Sequence, residues 1–537
     1  MQLFAIATLL AAAHALCGAA EPQHKHVFRV QGPKSLFDAA VQETAQQHRR
    51  EGTPSLDIWS VRLSDDHATL SAKDDPVLEA KVYATAAAMK AFQGRVAASM
   101  ETHTLSNERH HVKIQVSKRS DKRLKVVDLD KQQYAKQQVD EEEHDEDEEE
   151  EEDVYFISDD ENEARITKDR KDVATCMKDT DGYLTKLAAS AASATYLFTE
   201  SAFFDCFRPY DEIFSFFDTL TELNGGIMTK LANVSTTYEG RSIPAYRLST
   251  GLDSEGYQKK AIYIQSLIHA REWQAGMSTF YTVASLLDDL RHGSKHVTAL
   301  FDEFDWYFVP IVNIDGYIYS WTTDRYWRTN RDLVDEHGNA VPGVDLNRNF
   351  GPDEYFNKKP EEVDDETHPG DHPLSEPSTA AIVRFLRNLD NLSGVVDMHG
   401  VGGLVLRPFS NHPEEAPEPF GSQIKKLGDG VAQAISKGNP KPYISETGGY
   451  LYEAFGCFDD SMFFEFNYTV PAITIEVEGE DFISPQSTIR PIATHIYPGL
   501  LRFAEEASKY RDMVDNLYDS DSSENSESYD STSDASP

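Results

Sequence analysis

Residues 140–153 read DEEEHDEDEEEEED, thirteen acidic side chains around a single His, and a run of such charge density repels itself too strongly to fold alone. It divides the chain. At 537 residues the protein is longer than one compact domain normally is, so folded units are expected on either side of this run. A second acidic stretch, Asp512 to Pro537, has eight Asp and Glu, many Ser and no Lys or Arg, and is expected to be a disordered tail. Together the two stretches account for about half of the formal net charge of −40, so the rest is only mildly acidic. With 40% apolar and 11% aromatic residues, that rest can bury a large core. A chain of this charge with no basic, aromatic-interleaved stretch is not expected to bind nucleic acid.

The first twenty residues, MQLFAIATLLAAAHALCGAA, form a short apolar run that ends in small side chains before the polar EPQHKH. This is a secretory signal pattern lacking the usual basic start, with cleavage expected after Ala15 or Ala20. It is too short to span a membrane, and no later segment reaches spanning length. The chain is accordingly divided into a signal peptide (1–20), a small domain (21–115), an acidic linker and activation segment (116–202), a large domain (203–511) and the tail (512–537). The expected location is outside the cell, or a lysosome- or vacuole-like compartment on the secretory route. Sequons at Asn233, Asn391 and Asn467 fit that route. With Cys17 in the signal, Cys176, Cys206 and Cys457 remain, an odd number that leaves a Cys176–Cys206 pair open.

In the small domain VFRV, LDIWSVRL and HHVKIQV have strand character, and SLFDAAVQETAQQHRR and ATAAAMKAFQGRVAASM have helical spacing, the pattern of a small α+β open sandwich. The segment after it offers Arg165, Lys168, Arg170 and Lys171 in a polar context suited to a trypsin-like protease cutting between about 160 and 200. From 203 onward, strand-like AIYIQSL, WYFVPIV, SGVVDMHG and AITIEVE alternate with helical WQAGMSTFYTVASLLDDLRH and STAAIVRFLRNL, which predicts an α/β domain.

A catalytic zinc needs three protein ligands and an open position, and a His with a Glu three residues later can supply two of them from one turn. The chain has three such pairs: His48/Glu51 in a polar helix, His412/Glu415 in a Pro-rich loop, and His269/Glu272 directly after an apolar strand in AIYIQSLIHAREW. Ends of strands in open α/β sheets are where ligand sites form, which favours the last. HAREW in this position resembles the A/B subfamily of zinc metallocarboxypeptidases of the pancreatic procarboxypeptidase type. The remaining motifs of that family follow in order: TYEGR at 237–241, YWRTNR, GVDLNRNF, the SEP at 375–377, VVDMHG, LYEAFGCFDD and AITIEVEG. The resemblance covers roughly 205–507, and residues 24–115 are similar to the family's inhibitory pro-domain. It implies a mixed eight-stranded sheet with helices on both faces, a secreted zymogen that is a monomer, and activity on the C-termini of peptides and proteins after activation by a trypsin-like protease.

The resemblance also implies roles residue by residue. His269, Glu272 and His399 would bind one Zn2+, with Asp345 fixing the far ring nitrogen of His269. Glu476 would be the general base, and Arg328 would share the negative charge of the tetrahedral intermediate. Arg348, with Asn347 and Tyr452, would hold the substrate's terminal carboxylate, and Arg271 would serve an outer subsite. An ungapped match of LYEAFGCFDDSMF puts Asp459 at the base of the side-chain pocket, where B-type enzymes carry Asp and A-type enzymes an apolar residue; Ser410 matches the B-type pocket wall. A preference for C-terminal Lys or Arg follows. The alternatives are an A-like or broad enzyme for hydrophobic ends, Asp459 then being a solvated loop residue, a non-catalytic binding homologue, or a cation-binding polyanion. Arg271 and Arg348 could instead form structural ion pairs, and Tyr452 could be packing. Gly400 and Val401 depart from the family's common Ser-Tyr, and Cys457 from its common Gly.

Overall fold

The computed structural model describes strands at 25–33, 57–63, 77–85 and 125–127, and residues 159–526 apart from 336, 357–365 and 480; side chains are described within 163–517. The N-terminal strands β1 (Lys25–Pro33), β2 (Asp57–Leu63), β3 (Val77–Thr85) and β4 (Lys125–Val127) form an antiparallel sheet in the order β2-β3-β1-β4. β1 and β2 coincide with VFRV and LDIWSVRL. β3 was not anticipated as a strand, although Leu78, Ala80, Val82 and Ala84 alternate with Glu79, Lys81 and Tyr83 at a period of two. The HHVKIQV run, the two helices expected of the open sandwich, the signal and the acidic run lie outside the described residues.

Helices α1 (Asp159–Asp179) and α2 (Tyr183–Ser190) fall inside the segment assigned to a linker, so the packed unit starts before the expected boundary at 203. Val173, Tyr183 and Leu187 are buried in the same core as the large domain, and Met177 packs against it. The cause is periodicity hidden in polar composition. Ile166, Val173 and Met177 fall on one helical face, while most of the charges around them, Arg165 and Asp169 excepted, point outward. A disulfide between Cys176 and Cys206, Cα atoms 5.9 Å apart, joins α1 to the chain just ahead of α3 (Tyr210–Leu223). Arg165, Lys168, Arg170 and Lys171 therefore stand on a packed helix, not in an irregular connector.

The large domain is built on eight strands in the order β11-β10-β12-β9-β7-β8-β6-β5. They are β5 (Met228–Thr236), β6 (Ser242–Leu248), β7 (Lys260–Ser266), β8 (Phe304–Val309), β9 (Leu392–Gly400), β10 (Leu404–Arg407), β11 (Ile444–Thr447) and β12 (Ala472–Val477). β12, β9, β7 and β8 run parallel at the centre; β10, β6 and β5 add antiparallel pairings. All nine residues of β9 are buried, as a central parallel strand covered on both faces requires. The covering helices are α4 (Trp273–Arg291), α5 (Lys295–Glu303), α6 (Ile314–Thr322), α7 (Pro377–Arg387), α8 (Phe420–Ser436), the short α9 (Gly448–Leu451), α10 (Phe458–Glu465) and α11 (Ile489–Ser526). Tyr263 meets Phe385 of α7 and Phe458 of α10 on one face of the sheet, with ring centroids 6.4 and 6.1 Å away. On the other, Gly394, paired with Ile262, lets α11 approach so closely that an added Cβ would lie 2.8 Å from Phe503. This is the expected mixed eight-stranded sheet with helices on both faces.

α11 also corrects the C-terminal boundary. Leu500, Phe503, Ala504, Ala507, Tyr510 and Val514 are buried at spacings of three and four, so the helix continues past 511 to Ser526 with its apolar stripe extending into the stretch expected to be disordered.

Candidate active site

β7 delivers the first two candidate ligands. After Ser266 the chain turns at Leu267, whose φ of 56° lies in the left-handed region, and this turn carries His269 and Glu272 to the head of α4. The turn fits because Gly276 on α4 has no side chain; a Cβ there would come 2.7 Å from Leu267 Cδ1. His399 arrives at the end of β9. Strand register then sets Glu476 on β12 directly beside it, and Leu404 on the other side of Glu476. Parallel pairing therefore places a ligand and a carboxylate side by side without help from any loop.

The three donors converge. His269 Nδ1 lies 2.8 Å from Glu272 Oε1, His399 Nδ1 lies 3.1 Å from Glu272 Oε2, and the two Nδ1 atoms are 3.1 Å apart. All three side chains are buried, and two ring nitrogens and a carboxylate aimed at one point are the donor set of a zinc site that keeps an open position. Each imidazole is braced from behind. Asp345 Oδ1 is hydrogen-bonded to His269 Nε2 at 3.1 Å, as expected, and Asp397 Oδ2 lies 2.9 Å from His399 Nε2, an ion-pair contact without hydrogen-bond alignment. A carboxylate behind a ligating His sets which nitrogen faces the metal and raises its basicity. Asp397 had escaped notice in the sequence. The signal was present: an Asp two positions before His399 on an otherwise apolar strand shares its face of the sheet, and a fully buried acid needs a partner.

Asp345 does more than brace His269. Its second oxygen accepts from Arg328 Nε at 2.9 Å, its first accepts the backbone N–H of Asn347, also at 2.9 Å, and burial is outweighed by Arg328, His269 and Arg348, which hold its carboxyl well below the usual range. The loop carrying Arg328 is tied to the ligand loop by Asn313, another residue not singled out in the sequence. Its Nδ2 donates to the carbonyls of Ile268, Arg328 and Thr329. Arg328 Nη1 lies 3.3 Å from His269 Nδ1, beside the donor cluster.

Along the same pocket, Arg348 Nη2 donates to the Tyr452 hydroxyl at 3.1 Å, and Asn347 Oδ1 accepts the N–H of Phe458 at 2.8 Å. Gly456, at φ 69°, lets the 456–459 loop cross over Arg348, where any Cβ would meet the Arg348 carbonyl oxygen at 2.0 Å. That crossing places Cys457 and Asp459 in the pocket wall. Asp459 is 2% exposed, which rules out a solvated loop residue; its Oδ1 accepts the Asp460 N–H at 3.0 Å, Thr474 lies beside it and lowers its pKa, and among the described residues its Oδ2 has no aligned hydrogen-bond partner. Asp460 next to it faces away, accepting the N–H of Ser410 at 2.7 Å, and Ser410 lines the pocket. Burial pushes Asp459 up to about 6, with Asp397 adding to the rise, and burial and Asp459 push Asp460 well above the usual range. Arg271, expected in an outer subsite, is buried at the pocket's other end, stacked 4.3 Å over Phe482 with Nη1 2.9 Å from Glu366. Val401 and Gly400 line the pocket where the aromatic is missing. The competing His412/Glu415 pair is no metal site: His412 pairs with Glu414, and Glu415 is held by Arg407.

The sequence profile described as zinc carboxypeptidase matches residues 213–498, more than half of the chain. The chain belongs to the zinc carboxypeptidase family. Among curated relatives it is 29% identical to human carboxypeptidase O over 320 residues, covering 57% of this chain and 80% of that protein. It is 31% identical over 248 residues to the inactive metallocarboxypeptidase ecm14 of Talaromyces stipitatus, covering 45% of this chain and 41% of that protein. The chain thus spans about two fifths of the length of the fungal relatives it matches. Among solved structures, bovine thrombin-activatable fibrinolysis inhibitor in complex with a tick carboxypeptidase inhibitor is similar with a TM-score of 0.50 at 25% identity, covering 57% of this chain and 99% of that one. Carboxypeptidase A from Helicoverpa armigera shares the fold with a TM-score of 0.58 at 20% identity, covering 91% and 98%. Among the described residues of this family member, no helix is long and apolar enough to cross a membrane.

Proposed function

We propose that the chain is an active, secreted metallocarboxypeptidase that binds one zinc ion through His269, Glu272 and His399 and removes single C-terminal residues, Lys and Arg preferentially. The observation that carries this reading is the placement of Glu476 beside His399 in strand register, on the wall of a pocket that also holds Arg328, Arg348 and Asp459. Bound zinc supplies a Lewis acid and a water acidified toward neutral pH. Burial pushes Glu476 up to about 7, with Glu272 and Asp397 adding to the rise and His399 and Arg328 opposing it, so near neutrality its carboxylate would be able to accept a proton at the nucleophile and pass it to the departing amine. Arg328, held by Asp345, keeps its charge where negative charge builds on the scissile carbonyl oxygen. Arg348, bridged to Tyr452, offers a planar donor pair to the free terminal carboxylate.

Asp459 carries the basic preference, because a buried carboxylate oxygen without a partner at a pocket wall is completed by a substrate cation. Synthesis as a precursor activated by a trypsin-like protease is supported by the signal-like N-terminus, the small domain ahead of the large one and the likeness to a protein titled thrombin-activatable. A second reading, a binding protein that no longer catalyses, is favoured by the fungal relatives named inactive. The two separate on one experiment: protein treated with trypsin, quenched with inhibitor and loaded with zinc is incubated with a peptide ending in Arg. Release of free Arg that a chelator stops and added zinc restores is expected. Zinc-loaded, verified mature protein that releases nothing would leave the binding reading.

A further inference from the structure

Arg271 and Phe482 line the same pocket as Arg348 and the donor cluster, and with the terminal carboxylate at Arg348 and the scissile carbonyl at the cluster the upstream part of a peptide would run past them. Arg271 and Phe482 are held by a buried residue outside the pocket. Arg325 donates Nη1 to the Arg271 carbonyl at 2.9 Å and Nη2 to the Phe482 carbonyl, and its guanidinium lies 3.6 Å over the ring of Trp273, the residue after ligand Glu272. A guanidinium only 1% exposed requires a counter-charge. It comes from Asp169 of α1, whose Oδ2 is 3.3 Å from Arg325 Nε. One turn earlier on the same face, Arg165 pairs with Asp481, whose other oxygen accepts the N–H of Ile483 at 2.7 Å. α1 thus holds the 481–483 segment directly through Arg165 and indirectly through Asp169 and Arg325, and it lies upstream of the 213–498 stretch that the family shares.

We propose that Arg165 and Asp169 are positioning residues for the outer part of the substrate cleft, and that the Cys176–Cys206 disulfide keeps their helix on the enzyme after proteolytic processing. A cut anywhere between Cys176 and Cys206 leaves α1 covalently joined, whereas a cut after Arg170 or Lys171 frees the turn carrying both residues. The proposal rests on the peptidase reading for its substrate, and it is tested in two arms.

In the first, kcat and KM are measured for a blocked two-residue substrate and for a blocked six-residue peptide with the same C-terminal end. Arg165→Gln, which removes a half-exposed ion pair, is expected to raise KM for the long peptide by about fivefold and leave the short one unchanged. Asp169→Asn should do so more strongly, with Asp169→Glu restoring the long-peptide KM. Equal losses on both substrates, or no change on either, would overturn the proposal. The second arm needs no turnover: binding of both peptides to Glu476→Gln with and without Arg165→Gln. The long peptide is expected to lose its advantage over the short one. An advantage that persists overturns the proposal even if the protein proves to be a binder and not a peptidase. Trypsin-cut protein should also keep its α1 fragment on a non-reducing gel and release it on reduction; release without reductant contradicts the tether.

Discussion

Two pairs of buried carboxylates lie along one cleft and are treated in opposite ways. Asp345 and Asp397 sit behind the ligating imidazoles, each within about ion-pair distance of its ring nitrogen, and Asp345 is further held by Arg328. Asp459 and Asp460 are neighbours on one helical turn; burial and Asp459 push the Asp460 pKa up, and among the described residues Asp459 Oδ2 is left without a hydrogen-bond partner in the pocket wall. The first pair is complete in the sense that each acid faces an imidazole without any substrate, Asp345 through hydrogen bonds and Asp397 through close contact without hydrogen-bond alignment. The second pair is incomplete, and on the proposed reading the deficit of positive charge at Asp459 is what a Lys or Arg side chain of the substrate would supply. Chemistry and specificity are thus divided by which acids have partners already.

The division can be broken at several points. Glu476→Gln should remove only the proton transfer on the complete side: kcat falls by about a thousandfold while zinc content, measured by metal analysis, and peptide KM stay near wild type. Asp345→Asn and Asp397→Asn should each weaken zinc binding by about 10- to 100-fold in competition with a chelator, because each removes the acceptor that orients an imidazole. If Asp397→Asn leaves zinc affinity unchanged, the bracing role assigned to it is wrong. The smallest effect sharpens the incomplete side. Because kcat/KM reports the free enzyme, the ratio of kcat/KM for Arg-ended over Phe-ended peptides should climb about tenfold per pH unit below the Asp459 pKa and level off above it. Burial raises that pKa to about 6, so below pH 6 Asp459 is mostly neutral and above it mostly anionic, while the substrate guanidinium stays charged throughout. The ratio cancels the ionisation of Glu476 and of the metal site, which affect both substrates alike.

Much of the metal side was legible because its parts are local and ordered. His269 and Glu272 are three residues apart after an apolar run, and His399 and Glu476 end two others. What the sequence concealed was contact between distant segments. Asp397 reads as one polar interruption of a strand until β9 places it behind His399. Asn313 reads as a loop residue until it gathers the 268 and 328–329 carbonyls. α1 was concealed by composition, since a helix with one buried stripe and many surface charges resembles a linker until Val173 and the Cys176–Cys206 bond fasten it to the core. Asp459 could be aligned but not weighed, because burial and the missing partner are properties of the folded pocket.

The selector role of Asp459 is read most plainly by comparing the wild type with Asp459→Asn on matched peptides ending in Arg, Lys, Phe or Leu, at pH 7.5 and with zinc bound. The wild type is expected to release Arg and Lys first, stopped by chelator, and the variant to lose this preference while still releasing Phe and Leu. Release of Phe or Leu ahead of Arg by the wild type would contradict that role.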